Sequence, residues 1–424
     1  MIERIERHLG ETVHTLRLKN GMKVYILPKK EPYFTTYVEL SVAYGALDLE
    51  FMVDDKRVLT PPGTAHFFEH QIFAMPYGDA FQKFSALGVD ANAMTSYDRT
   101  SYVFSATDHV MDALTHLFDM IDTPYFRQEN VDRERAIIAE EIKMYTDDIN
   151  MEMQNELYLN TYHDHPIKYD IAGTLASIER ISADTLKEIH RVFYQPSNRT
   201  VVIAGRIDLP AILSFFKAYE NDHSVRAALP HPIYPKEKKC VVLAETNKHK
   251  PIGIDKIMVA IKMKPARATK EKRIVRDLST SILTGMLLGS SSQAYEELFT
   301  KEWINERFYI QSTSEHRAEL VTVYAETARV EPLKDYLIDL FRQPAERLID
   351  EPTFERHKKG YIGLFVYALD DLETKARLYG KYAQKGIALF DVFRLLKGLT
   401  YDDLLAAFAA MQNGDTSVLI YKKA

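Results

Sequence analysis

The chain alternates segments whose apolar residues recur at every second position with segments in which they recur at every third or fourth. The first pattern predicts strands and the second predicts amphipathic helices. The stretch "LRLKNGMKVYIL" sets Asn20-Gly21 between two alternating runs, which predicts a β-hairpin within residues 16–40. Predicted strands include "YVELSVAYGALD", "TSYVFSAT" and "RTVVIAG", and predicted helices cover residues 64–74, 79–87, 108–121 and 129–148.

The second half of the chain repeats the pattern of the first. The stretch "ISADTLKEIHRVFYQPSNRTVVIAG" begins at Ile181, and "LTYDDLLAAFAAMQNGDTSVLIYK" begins at Leu399, which is 218 positions later (399 minus 181). Each reads as a capped helix, a polar turn and a closing strand. The stretch "RQENVDRERAIIAEEIKMYTDD" is likewise echoed by "DEPTFERHKKGYIGLFVYALDD". A weak self-match at so long a period predicts two duplicated domains.

The boundary between these domains is predicted from composition. The stretch "NDHSVRAALPHPIYPKE", residues 221–237, contains three prolines and few periodic apolar residues. We therefore expect one domain over residues 1–225, a linker over 226–237 and a second domain over 238–424.

The composition limits the classes of function. The chain has 424 residues, 46% hydrophobic and 27% charged, which is typical of a globular protein with two domains. Its net charge of -6 gives no support to nucleic-acid binding. The single cysteine, Cys240, rules out an internal disulfide and a cysteine zinc cluster within one chain. No apolar run reaches membrane-spanning or signal-peptide length, so no membrane insertion and a cytoplasmic location are expected.

Two histidines and a glutamate interrupt the predicted helix at "TAHFFEHQIF". His66 and His70 are four residues apart, so on a helix they share a face and can both reach one cation. Glu69 lies at the edge of that face, where its carboxylate can approach a water molecule on the metal. This HxxEH spacing is the inverse of the HExxH pattern of zinc peptidases. Two surface histidines on an amphipathic helix remain the alternative interpretation.

A third ligand is predicted on the helix over residues 129–148. In a helical projection Glu134 and Glu141 fall on its apolar stripe, flanked by Ile137 and Ile142, whereas Glu140 lies off the stripe. A carboxylate in an apolar stripe is costly unless it is paired or coordinates a cation. A cation shared with the two histidines would account for both glutamates, and a partner arginine is the alternative.

At this point the sequence resembles the pitrilysin/insulinase family of zinc metallopeptidases, the inverzincins. The resemblance rests on "LKNGMKVYIL", "GTAHFFEH", "GVDANAMTSYDRTSYVFSA", "ERAIIAEEI" and "HPIKYDIAGT", which follow one another in the family order within residues 16–205. It implies an α+β fold of two homologous domains, each a mainly antiparallel sheet with helices packed on one face, in a clam-shell arrangement. The second half resembles the family more weakly and has no counterpart of "HFFEH".

The resemblance also implies a role for each site residue. His66, His70 and Glu141 match the three ligands of one zinc ion per chain, although manganese also suits such a donor set. Glu69 matches the general base, and Glu134 matches a supporting carboxylate. The implied activity is zinc-dependent endopeptidase cleavage of short peptides or unfolded segments.

The family pattern predicts how peptide substrates are held, and there this sequence departs from it. Asn92 and Ala93 match an edge strand that pairs with the substrate backbone. Phe299 stands where many members have a substrate-binding arginine, and Phe308 or Tyr309 stands near the position of a tyrosine. We therefore expect a homologous partner subunit to supply the arginine and tyrosine. A non-catalytic binding or assembly subunit of a peptidase-like hetero-oligomer is the alternative function.

Overall fold

The computed structural model describes residues 1–225, 227–266 and 268–424, so residue 226, the first of the predicted linker, lies outside the described residues. The chain forms two compact units. Unit 1 comprises Met1–Met144, Asp170–Tyr234 and Tyr367–Phe390, and unit 2 comprises Tyr145–Tyr169, Pro235–Val366 and Asp391–Ala424. Each unit contains a mostly antiparallel sheet and helices, which confirms the predicted α+β class. The clam-shell arrangement stays a prediction.

The strands are numbered in chain order. They are β1 (Ile2–His8), β2 (Glu11–Arg17), β3 (Lys23–Pro28), β4 (Thr36–Val42), β5 (Glu50–Val53), β6 (Lys56–Leu59), β7 (Ala74–Met75), β8 (Gly78–Asp79), β9 (Asp90–Thr95), β10 (Thr100–Ala106), β11 (Arg199–Gly205), β12 (His231–Pro232), β13 (Glu245–Lys250), β14 (Lys256–Met263), β15 (Tyr309–Glu315), β16 (Ala318–Glu326) and β17 (Asp415–Lys423).

The α-helices are numbered in the same way. They are α1 (Thr64–Gln71), α2 (Ala80–Ala86), α3 (Val110–Asp122), α4 (Gln128–Asp147), α5 (Ile149–Thr161), α6 (Leu175–Ile178), α7 (Ala183–Phe193), α8 (Leu209–Asp222), α9 (Lys270–Leu288), α10 (Gln293–Thr300), α11 (Val330–Arg342), α12 (Ala345–Leu348), α13 (Glu351–Ala368), α14 (Leu372–Gln384), α15 (Leu389–Lys397) and α16 (Tyr401–Gln412). Within the described ranges, no helix is both long enough and apolar enough to cross a membrane.

The two main sheets share one topology. Unit 1 has the strand order β1-β2-β3-β11-β4-β10-β9, and unit 2 has the order β13-β17-β14-β16-β15. The last five strands of unit 1 match the five of unit 2 one for one. In both sheets the first pair of this set is parallel and the remaining pairs are antiparallel. This correspondence supports the duplication predicted from the repeated sequence pattern.

The predicted hairpin is confirmed. Strands β2 and β3 pair antiparallel, with Leu16 opposite Val24. The turn at Asn20-Gly21 closes with a hydrogen bond from Gly21 N to Leu18 O of 3.0 Å. Helix α1 ends at Gln71, earlier than the predicted residue 74, because the small hairpin β7–β8 follows it directly.

One helix from each half of the sequence belongs to the unit built mainly from the other half. Helix α5 packs on β14 and β17 of unit 2, and α14 packs on β4 and β11 of unit 1. Both begin at an aspartate cap, Asp148 for α5 and Asp371 for α14. In addition, β12, which lies inside the predicted linker, pairs with β5 of unit 1. The predicted sequence boundaries at 225 and 238 stay a prediction, and the compact units are not contiguous in sequence.

Helix α14 covers one face of the unit 1 sheet at β4 and β11. Every residue of β4 and β11 is buried, including Glu39, which is fully inaccessible to solvent. Ser101 Oγ donates a 2.7 Å hydrogen bond to Glu39 Oε1. A Cβ atom at Gly380 of α14 would lie 3.3 Å from that same oxygen, so a glycine lets the helix approach the carboxyl group closely. Burial raises the pKa of Glu39, which favours its protonated, neutral form.

Candidate metal centre

Helix α1 begins at a tight backbone crossing. Gly63, its N-terminal cap, has φ of 89°, and Gly173 in the loop "HPIKYDIAGT" has φ of 79°. A Cβ on Gly63 would lie 2.5 Å from Ala172 O, and a Cβ on Gly173 would lie 2.5 Å from Pro62 O. The two glycines therefore let this loop pack directly on the start of α1, which fixes where the helix and its histidines begin.

We expect Gly63→Ala to destabilise the protein more than Gly88→Ala. Gly88 also has a positive φ, 70°, but no atom lies within 4 Å of its built Cβ. Alanine at Gly88 should cost about 1–2 kcal/mol for the backbone conformation alone, whereas alanine at Gly63 adds the clash with Ala172. Thermal unfolding and zinc titration measure both variants. Equal losses at the two positions would contradict a positioning role for the crossing.

The structure brings the three predicted ligands together in unit 1. One ligand atom from each of His66, His70 and Glu141 lies within 4.8 Å of the others, and no further group of this kind occurs among the described residues. His66 Nε2 is 3.6 Å from Glu141 Oε1, and His70 Nε2 is 3.5 Å from Glu141 Oε2. The four-residue spacing on α1 thus places both imidazoles on one face of the helix, as predicted from the sequence.

These separations are compatible with three ligands around one metal ion. Ligand atoms at about 2.0–2.2 Å from a shared ion stand about 3.3–3.6 Å apart, and each imidazole lies at such a distance from one oxygen of Glu141, His66 from Oε1 and His70 from Oε2. Burial, reinforced by the nearby His70, lowers the pKa of His66 to about 4. The imidazole is therefore neutral at physiological pH, which is the form that donates a lone pair to a metal.

Glu134 orients the second histidine. Its Oε1 atom lies 3.0 Å from His70 Nδ1, and because a carboxylate only accepts, the ring nitrogen donates this hydrogen bond. The bond leaves Nε2 of the ring free to face Glu141, as in other carboxylate–histidine–metal arrangements. Burial acts to lower the pKa of His70, but the hydrogen bond to Glu134 and the charge of Glu69 outweigh it, and the pKa is raised.

Glu69 lies beside this group and is held by a residue that the sequence analysis did not single out. Thr95 Oγ1, at the end of β9, donates a 3.2 Å hydrogen bond to Glu69 Oε2. Burial raises the pKa of Glu69, partly offset by the charge of His70 and by the threonine hydroxyl. The sequence could have identified Thr95, because strand alternation places it on the same face of the sheet as Ala93, two residues earlier.

Helix α4 carries Glu134 and Glu141 on the edge of its buried stripe. Both glutamates are half-buried, while Val131, Ile138 and Ile142 are buried. Glu140 is exposed and forms a 2.6 Å ion pair with Lys143, in agreement with its predicted place off the stripe. Ile137, which flanks the two glutamates in the helical projection, is 53% exposed, so the apolar stripe is not buried along that side.

The predicted substrate-binding residues lie on β9, the last strand of the unit 1 sheet. Ala93 lies opposite Tyr102 of β10, and its N–H donates a 2.8 Å hydrogen bond to Asn92 Oδ1. Met94 contacts Arg377 of α14, whereas Thr95 contacts α1. Because alternate residues face opposite sides, Asn92 points towards the α14 face and Ala93 towards the α1 face.

Among the described residues of unit 2, no equivalent set of carboxylates occurs. Aligning the matching caps of α5 and α14 pairs Glu134 with His357 and Glu141 with Leu364. Phe299, at the position where the family has arginine, is a half-exposed residue of α10. Phe308 is buried, and Tyr309 begins the edge strand β15. The metal-ligand group described above is therefore a feature of the first repeat.

The fold and this ligand group match one family of peptidases. Residues 59–175 match the profile described as "Insulinase (Peptidase family M16)". Residues 180–361 match the profile described as "Peptidase M16 inactive domain". The chain belongs to the M16, or insulinase, peptidase family, which confirms the resemblance found in the sequence.

Similar proteins are named as zinc proteases or M16-like peptidases. The "uncharacterized zinc protease YmfH" of Bacillus subtilis is 34% identical over 414 residues, covering 95% of each chain. The "zinc protease PqqE" of Helicobacter pylori is 23% identical over 404 residues, covering 92% of this chain and 88% of that protein. A crystal structure of an M16-like peptidase from Alicyclobacillus acidocaldarius superposes with a TM-score of 0.92 at 28% identity, covering 99% of this chain and all of the other.

Proposed function

We propose that this protein is a zinc-dependent endopeptidase that cleaves short peptides or unfolded segments, with one zinc ion per chain. The observation that carries the proposal is the convergence of His66, His70 and Glu141 within 4.8 Å, beside the half-buried carboxylate of Glu69. A purely structural metal site would gain nothing from that additional carboxylate. A non-catalytic assembly subunit would need neither the three metal ligands nor the carboxylate of Glu69.

In this proposal His66, His70 and Glu141 hold the ion, and Glu69 moves the proton. A bound zinc ion acidifies a coordinated water molecule and polarises a carbonyl group. The Glu69 carboxylate accepts the proton of the attacking water and then returns it to the leaving amine. Thr95 holds Glu69 in position, and Glu134 keeps His70 oriented with Nε2 towards the ion.

Peptide substrates are proposed to bind as an added strand along β9. A free strand edge recognises peptide backbone by main-chain hydrogen bonds, which is compatible with many side-chain sequences. In this proposal the N–H group of Ala93 acts as one such edge donor. It is held by the side chain of Asn92, which an incoming carbonyl oxygen would replace.

We expect Glu141→Gln to lose zinc, whereas Glu140→Gln retains it. The two glutamates are adjacent and receive the same substitution, but Glu140 is exposed and paired with Lys143. Removing a charged ligand should weaken zinc binding by at least about 100-fold. Metal analysis of protein purified without chelator, together with peptide cleavage before and after chelation, measures the effect. Full metal content in Glu141→Gln, or cleavage that resists a chelator, would refute the proposal.

A homologous partner subunit is the second part of this proposal. Phe299 offers no charge for a substrate carboxylate or carbonyl group, so we propose that a related chain supplies the arginine and tyrosine. Co-purification with the native complement of subunits tests it, and rapid cleavage by a strict monomer would count against it. The cytoplasmic location is kept as a prediction of the same proposal.

A further inference from the structure

Strand β1 lies at one end of the unit 1 sheet and has a free edge. It pairs with β2 on one side, and no described strand pairs with its other side. Two of its apolar side chains face solvent, since Ile2 is 72% exposed and Ile5 is 58% exposed. A free edge can add a strand from another chain through main-chain hydrogen bonds. The strand β9 lies at the opposite end of the same sheet, so β1 is a separate surface.

The turn after β1 shows which backbone groups lie on the free edge. Leu9 and Gly10 have φ of 50° and 78°, and a positive φ at both central residues is typical of a two-residue type I′ hairpin. The residues that flank such a loop, His8 and Glu11, form a hydrogen-bonded pair, and such pairs alternate along the strands. Even-numbered residues of β1 therefore bond to β2, whereas Ile5 directs its N–H and C=O groups to the free edge.

The charges of β1 suit a second copy of the same strand in one antiparallel register. Outward-facing residues must lie opposite one another, so the registers with the longest overlap are centred on Arg4, Ile5 or Glu6. A centre at Arg4 sets two arginines opposite each other, and a centre at Glu6 sets two glutamates opposite each other, which destabilises a strand pair. A centre at Ile5 sets Arg4 of each copy opposite Glu6 of the other.

The centred register also keeps the ion pair that β1 already contains. Arg4 Nε lies 2.9 Å from Glu6 Oε1 of the same strand, so the two side chains share one face. Around the two-fold axis, each arginine would lie beside its own glutamate and opposite the glutamate of the other copy. The four charges then alternate in sign, and the same surface serves both chains, as a two-fold interface requires.

We propose that β1 pairs antiparallel with β1 of a second copy of this chain, centred on Ile5, so that two chains share one continuous sheet. The proposal goes beyond the proposed peptidase function, because it involves neither the metal ligands nor the substrate edge at β9. A single strand pair is a small interface, so the dimer should be reversible and depend on protein concentration.

Charge reversal at the two facing positions tests the pairing in the full-length protein. Arg4→Glu alone, or Glu6→Arg alone, sets like charges opposite each other at both symmetric contacts. Each should raise the dimer dissociation constant about 10- to 100-fold, measured by sedimentation velocity. An equimolar mixture of the two variants should associate again, since one strand is then acidic and the other basic at both positions. Lys56→Glu, on the exposed strand β6, is the control and should change nothing.

Cysteine cross-linking tests the register. Facing residues in a pair that is not hydrogen-bonded have Cα atoms about 4.5 Å apart, within reach of a disulfide. With the exposed Cys240 replaced by serine, a mixture of Arg4→Cys and Glu6→Cys should form a covalent dimer on oxidation. Arg4→Cys alone should not, because its copies lie diagonally, about 7–8 Å apart.

Three results would overturn the inference. The first is a wild-type protein that stays monomeric as its concentration rises, which would mean that the charges of β1 keep its edge unpaired. The second is a dimer that neither charge reversal weakens. The third is cross-linking of Arg4→Cys to itself, which would assign another register. Recovery in the mixture separates loss of pairing from loss of folding, because mixing cannot rescue an unfolded variant.

Discussion

Glu69→Gln is expected to abolish peptide cleavage and leave the metal in place. The side chain keeps its size and can still interact with Thr95 Oγ1, which lies 3.2 Å from Glu69 Oε2. An amide cannot accept the proton that the carboxylate takes from the attacking water, so turnover should fall by about 10²–10⁴-fold. Zinc content by metal analysis and kcat from a quenched fluorescent peptide measure the two quantities on one preparation.

Two further variants show whether the effect belongs to the position of Glu69. Glu140→Gln makes the same chemical change on the exposed side of α4 and should leave both quantities unchanged. Thr95→Val removes the hydroxyl that holds Glu69 and should lower kcat less than Glu69→Gln does, while Thr95→Ser restores it. Turnover near the wild-type rate in Glu69→Gln would remove this glutamate from the mechanism.

Gly380→Leu is expected to destabilise unit 1, because the leucine side chain would enter the space occupied by the Glu39 carboxyl group. Even a Cβ at this position lies only 3.3 Å from Glu39 Oε1, and Glu39 is completely buried beneath α14. Overpacking of this kind should lower the free energy of unfolding by about 1–3 kcal/mol. Urea unfolding of the full-length protein, followed by far-ultraviolet circular dichroism, measures the loss.

The matched control is Gly360→Leu in α13, where a built Cβ meets no atom within 4 Å. Both glycines are inside helices, so both substitutions gain the same helix propensity, about 0.5–1 kcal/mol. The difference between the variants therefore isolates the contact with Glu39. If the two variants unfold at the same urea concentration, the close approach of α14 to the sheet does not limit stability.

Much of the candidate site followed from local spacing. His66 and His70 are one helical turn apart, and Glu134 and Glu141 are two turns apart, so periodicity alone predicted which side chains share a face. The duplication also followed, because the helix–turn–strand pattern is repeated along the chain, whereas the strand order of the sheets did not. Such predictions succeed where a property depends on residues close together in the sequence.

What could not be predicted depends on contacts between distant segments. The hydrogen bond of Thr95 to Glu69 joins a strand to a helix 26 residues away. The burial of Glu39 depends on α14, which follows it by more than 300 residues and comes from the other repeat. The exposure of Ile137 could not be predicted, because a helical projection shows which residues share a face but not how far the neighbouring elements extend over it.

The exchange of α5 and α14 has a consequence for proteolysis of the intact protein. A single cut in the segment between the two repeats would produce two fragments, yet each compact unit would still contain chain from both of them. The fragments should therefore migrate together on a native gel and separate only under denaturing conditions. Nicking between the repeats would then leave each compact unit assembled from both fragments.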